Sequence, residues 1–227
     1  WYSSVCTKEN DLDMDEEITI IDSNTRNEKI INFLINNKKK LIIGFSIILI
    51  SIIGYLSMKE VRERDKIKLA NQFNITTLNF KIEDTQKTID QLTKLIKEND
   101  PTYSPLALYF LIDNDLINNK NEINTLFDVL INETDLDLEI KNLIIYKKAL
   151  FISDFSTEND LLQILNPIIN SESIWKSHAL YLAAEYFYSK GDSQKAKEFF
   201  NQILDLPGGN KDIRLESKKR LNRDLGE

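Results

Sequence analysis

From Leu41 to Met58 the chain reads LIIGFSIILISIIGYLSM and carries no charge. At a rise of 1.5 Å, eighteen helical residues span roughly 27 Å, close to the thickness of a bilayer's hydrocarbon core. Eleven of them are Leu, Ile or Phe, among them Leu41, Ile42, Ile43, Phe45, Ile48, Ile52, Ile53 and Leu56. Each favours insertion by roughly 0.3–0.6 kcal/mol, so the sum is on the order of 3–6 kcal/mol. That outweighs the small penalties of Gly44, Ser46, Ser51, Gly54 and Ser57. The alternative is a buried helix of a soluble domain, which rarely runs this long without a polar face. The run predicts a transmembrane signal anchor over 38–58, in contact with lipid.

The flanks divide the rest of the chain. Residues 1–37 form an acidic leader (Asp15, Glu16, Glu17, Asp22, Glu28), expected to be largely disordered. Ile30, Ile31, Phe33, Leu34 and Ile35 give the end of the leader a short amphipathic helix, either lying on the membrane surface or leading into the span. The chain begins at Trp1, which suggests a fragment or a natural start at Met14. Lys38, Lys39 and Lys40 abut the span, and no small-x-small cleavage site follows Met58, which argues against a cleaved signal peptide. The fifteen residues on each side carry five Lys or Arg apiece, so charge counting does not decide orientation. The triple lysine favours a cytoplasmic N-terminus.

Residues 59–227 read as an all-α domain, large enough to bury an ordinary core. Lys59–Phe80 keeps helical spacing with alternating charges and is expected either to continue the span or to follow it directly. Helical segments are then expected at Asp84–Asn99, Leu106–Leu116, Glu122–Ile131, Leu136–Ser153, Glu158–Ile169, Ser173–Ser189, Ser193–Leu206 and Asp212–Leu225. Ser104-Pro105 reads as an N-cap followed by a first-turn proline. No segment sustains period-two alternation. The last helix carries Lys211, Arg214, Lys218, Lys219, Arg220 and Arg223 on its surface, which suits a polar end cap.

A repeat runs through these hairpins. From Ala184, Gly191 follows seven residues on at a turn, Ala196 twelve on, Phe200 sixteen on and Ile203 nineteen on. The same ruler laid on Ala149 meets Leu161, Leu165 and Ile168, and laid on Leu111 it meets Ile123, Phe127 and Leu130. This is the register of tetratricopeptide helical hairpins, whose small residues let two helices approach closely. An α-solenoid of such hairpins is the expected fold, with a plain helical bundle as the alternative. In a solenoid the first helices line a concave face, so Tyr109, Tyr146, Tyr181 and Tyr188 are candidates for a protein-binding groove, the alternative being core packing, the commoner role of aromatics at helical spacing.

The layout resembles the tetratricopeptide-like, single-span inner-membrane proteins of the ancillary SecYEG translocon subunit (YfgM-type) family. The resemblance is carried by Asp15-Glu16-Glu17, by Lys38-Lys39-Lys40-Leu41 before the span, and by the charged helix from Lys59. Thr102-Tyr103-Ser104-Pro105-Leu106-Ala107 and the Lys190-Gly191-Asp192 turn with Ala196 carry the rest. The repeats here hold fewer alanines than that family's. The resemblance implies a bacterial inner-membrane protein with a cytoplasmic N-terminus and periplasmic repeats. Its partners would be the Sec translocon and periplasmic chaperones, and it would work by binding.

Little points to catalysis. His178 is the sole histidine and sits inside the clearest repeat, where packing or surface polarity explains it. Cys6 is the sole cysteine, which excludes an intramolecular disulfide and a thiolate metal cluster. Asp113, Asp115, Glu133, Asp135, Asp137 and Glu139 lack the glycine and closing glutamate of a calcium loop and read as a solvated acidic face. Gly208-Gly209-Asn210-Lys211 lacks phosphate-loop spacing. A net charge of −7 and a pI near 5 argue against nucleic acid. No enzyme, cofactor, metal or small-molecule substrate is expected. An envelope scaffold recruiting cell-wall or outer-membrane assembly factors, and a stress-response regulator acting through the leader, are the competing readings.

Overall fold

The structure, a computed structural model, describes residues 11–226, with side chains described from residue 27 onward. Cys6 lies outside the described residues, as do the side chains of Asp15, Glu16 and Glu17. The chain divides into two units, Trp1–Arg64 and Asp65–Glu227.

Helix α1 runs Asp11–Leu78. It starts well before the short helix expected near residue 27 and takes in the part of the leader from Asp11 on. The reason is local: no glycine or proline stands between Asp11 and Gly44 to interrupt the backbone ladder. Among the described residues, Asn27–Leu78 is the one stretch long and apolar enough to cross a membrane, with a mean hydropathy of 2.4 in its best window and none of that window buried. Ile42, Phe45 and Ile50 are 64%, 68% and 68% exposed. A helix serving as the core of a soluble unit would bury one of its faces, and this window buries none.

The second unit is helical throughout, with no strand among the described residues. After the end of α1 and a 3-10 turn at Ile82–Asp84 come α2 (Thr85–Ile96), α3 (Tyr103–Asp113), α4 (Lys120–Glu133) and α5 (Leu138–Ile152). Then follow α6 (Glu158–Ile169), α7 (Lys176–Ser189), α8 (Ser193–Asp205) and α9 (Lys211–Asp224). From α2 to α9 each helix packs on its successor, and α7 also meets α5 and α9.

Local chemistry sets the boundaries. Thr157 and Asp160 close a reciprocal capping box at the start of α6. Asn119, Asp192 and Asn210 accept first-turn amides of α4, α8 and α9. Ser104 does not cap α3. The Asp100 carboxylate does so, accepting the amides of Thr102 at 2.9 Å and Tyr103 at 2.8 Å. Ser104 is instead wholly buried inside the first turn, donating its hydroxyl to the Leu95 carbonyl at 3.0 Å and accepting the Asp100 amide. A carboxylate already holding two amides leaves the hydroxyl free to tie the end of α2 to the start of α3. Pro105 fits the same first turn, where no helical amide is lost.

The core comes in two clusters that meet along α5. One gathers Leu92, Ile96, Leu108, Leu111, Phe127 and Leu130 from α2–α4, together with Ile144. The other gathers Ala149, Leu161, Leu165, Ala184, Phe200 and Ile203 from α5–α8, with Leu221 of α9. Phe151 packs against both. Every position the ruler marks inside a helix is buried, each at most 4% exposed.

Gly191 differs from the other marked positions. It is exposed, and its φ of +79° lies in the left-handed region that the turn between α7 and α8 demands. A Cβ there would meet nothing within 4 Å. Gly191→Ala is therefore expected to cost only backbone strain, about 1–2 kcal/mol, read as a lower urea midpoint at unchanged slope.

Candidate interaction face

The four candidate tyrosines stand on three alternate helices: Tyr109 on α3, Tyr146 on α5, Tyr181 and Tyr188 on α7. All are half-buried, and each already has a neighbour. The Lys147 ammonium lies 3.9 Å from the centre of the Tyr109 ring. Tyr146 stacks on Trp175 with centroids 6.2 Å apart and meets His178 edge-on at 5.8 Å. Tyr181 packs edge-on against Phe200 at 5.6 Å. The Arg220 guanidinium of α9 covers Tyr188 at 4.5 Å. The arrangement joins them pairwise along the α3, α5, α7, α9 series.

Helical spacing explains the row on α7. His178, Tyr181, Glu185 and Tyr188 follow one another at three, four and three residues, so they share one face. Glu185 anchors α9 to that face: its carboxylate accepts two guanidinium N–H groups of Arg220, one of them from Nε at 2.7 Å. Asp224 accepts a third at 2.5 Å. Arg220 thus departs from the solvated role expected for it, because its side chain is only 16% exposed and bridges two helices. Glu139 departs from the solvated acidic face in the same way. It accepts the Ser173 hydroxyl at 2.8 Å and the Ile174 amide at 3.3 Å, linking the start of α5 to the approach to α7.

Burial pushes the hydroxyls of Tyr109 and Tyr181 up to about 12, Tyr181 with help from the neighbouring Glu185 carboxylate. Both stay protonated at neutral pH. The Tyr109 hydroxyl is buried and has no partner. Chemically the face carries ring surface and two cations already seated on rings. Among the described residues no group of three His, Cys, Asp or Glu is placed to hold a metal ion.

His178 sits within the aromatic group, 5.0 Å from the Trp175 ring centre, with Nδ1 buried and unpaired. Burial holds its pKa below the ordinary 6.5. The unfolded chain, with the higher pKa, takes up the proton first. Stability is therefore intact above about pH 6.5 and falls as pH drops from there to the lower folded value. His178→Gln is expected to flatten that part of the profile, read from denaturation midpoints at about pH 7.5 and about pH 5.

Sequence reasoning missed the contacts that join one hairpin to the next. Lys148 is 7% exposed and donates to Asp128 at 2.6 Å, and Lys195 donates to Glu158 at 2.5 Å. Three surface cavities also lie away from the tyrosines. One lies between the end of α1 and α2, at Gln72 and Gln91. A second lies beside α2 near Glu122, and the third is among α4, α5 and α6. No protein-family model matches the chain, and neither a curated protein nor a solved structure matches it.

Proposed function

We propose that this chain is a membrane-tethered adaptor, an α-solenoid of tetratricopeptide-like hairpins held at a bacterial inner membrane by the 38–58 anchor. Its N-terminus is cytoplasmic and its hairpins are periplasmic. There it associates with the Sec translocon and with chaperones that receive exported chains, and it acts by binding.

One juxtaposition carries the reading: an apolar helical window with none of its residues buried precedes helical hairpins, three of whose side-chain ties span about 35 residues. Glu139 meets Ser173 at a separation of 34 residues, Glu185 meets Arg220 at 35, and Glu158 meets Lys195 at 37. Other ties differ, Lys148 meeting Asp128 at 20 and Tyr186 meeting Ser156 at 30, and it is the three near 35 that support stacked units, because each hairpin of a solenoid buries its apolar face against its neighbours. The tyrosine row then falls on the first helices, as a binding face requires. The translocon and the compartment rest on the resemblance.

Co-purification from mild detergent tests the partners. Translocon subunits and periplasmic chaperones are expected with the full chain and are expected to diminish with Tyr146→Ala plus Tyr181→Ala. Recovery of cell-wall enzymes in their place would favour the scaffold. Protease added to spheroplasts is expected to digest the residues after Lys59 and spare the leader; the opposite pattern reverses the orientation.

A further inference from the structure

α4 and α6 both pack on α5, and a wedge of about 300 Å³ stays open among the three. Lys148 and Ile152 line it. They follow Tyr146 by two and six residues, which at 100° per residue puts them on the side of α5 away from the tyrosine. The wedge is therefore a separate surface from the tyrosine row.

Its chemistry is amide-rich and uncharged in sum. Asn121 and Asn124 contribute carboxamides from α4, and Gln163 contributes one from α6. Ser156 stands at the turn between α5 and α6, its carbonyl pinned by the Tyr186 hydroxyl at 3.1 Å. The Asn124 Oδ1 and the Ser156 Oγ are both buried without a partner, one wanting an N–H and the other able to give or take a hydrogen bond. The charged groups on the lining are already engaged: Lys148 with Asp128 at 2.6 Å, and Asp160 with the Thr157 hydroxyl at 2.6 Å. The Lys120 ammonium stands at the rim, 4.4 Å over the Phe155 ring. Ile152, Ile164 and the 44%-exposed Phe155 supply apolar surface beside the amides.

We infer that this wedge binds an extended segment of another polypeptide, pairing the segment's main-chain amides with Asn121, Asn124, Ser156 and Gln163 and seating an apolar side chain against Ile164. A carboxamide donates to a carbonyl and accepts from an N–H, so it complements a peptide bond of any sequence. A helical ligand offers these groups less, because its main-chain amides pair internally. The site is independent of the translocon association, since it uses neither that partner nor the tyrosines.

The test uses the full chain in lipid nanodiscs and fluorescence anisotropy of a short, end-capped, uncharged peptide of Ala, Leu, Ser and Asn. Saturable binding is expected, weakened about tenfold by Asn124→Leu and by Gln163→Leu, and unchanged by Tyr181→Ala. The same peptide N-methylated at alternate amides is expected to bind about tenfold more weakly, because it lacks those donors. Gln163 is exposed, so its variant keeps the test alive if Asn124→Leu fails to fold. Equal binding of the methylated peptide, indifference to Gln163→Leu, or no saturable binding would overturn the inference. Loss of translocon co-purification with peptide binding intact would remove the proposed function and leave this site standing.

Discussion

Exchanging Ile48 and Ile52 together for lysine is expected to move the chain from the membrane fraction to the soluble fraction. Each exchange turns a contribution of about −0.5 kcal/mol into a penalty of about 3 kcal/mol near the centre of the run. The pair therefore costs on the order of 7 kcal/mol, against a total insertion drive of about 3–6 kcal/mol. Neither side chain supports the fold, since both are more than half exposed. The helical signal of the hairpin unit should persist, so that release from the membrane is not mistaken for unfolding. Ile67→Lys, beyond the apolar run, serves as the control and should leave partitioning unchanged. If the double variant still pellets with membranes after a carbonate wash, the run is not what holds the chain there.

The helix count and most boundaries of the hairpin unit were legible because turn chemistry is local. The Thr157–Asp160 box, the left-handed Gly191 and the amide-accepting Asn119, Asp192 and Asn210 each act within a few residues of themselves. Burial along the ruler was legible for a similar reason: a helix face is a property of spacing alone. What stayed hidden depends on a partner about 35 residues away. Glu139 looked like one acid among six until Ser173 came beside it, and Arg220 looked like cap decoration until Glu185 did. A search for complementary polar residues about 35 apart would have pointed to both pairs. The start of α3 misled because Asp100 and Ser104 are both good caps, and only burial decides which oxygen meets the amides. The tyrosine row was readable as a row; that Lys147 and Arg220 already cover two of its rings was not.

Phe200→Ala is the larger perturbation within the hairpin unit and bears most directly on how the hairpins are assembled. The ring is fully buried between α7 and its neighbours and meets Tyr181 edge-on, so truncation is expected to cost about 3–5 kcal/mol. Phe127, at 1% exposure, belongs to the other core cluster and offers the matching truncation. In a solenoid, stability is close to a sum of neighbour terms, so damage at Phe200 should stay near α7–α9. Amide hydrogen exchange in those helices is then expected to quicken more than a hundredfold, with α2–α4 changing little. Phe127→Ala should produce the mirror image, quickening α2–α4 and sparing α8 and α9. A single cooperative bundle behaves differently, because each truncation lowers the stability of the whole and quickens all its slow amides together. Uniform acceleration by either variant would mean that the pairs about 35 residues apart join helices of one undivided core, and the stacked-unit reading would fall.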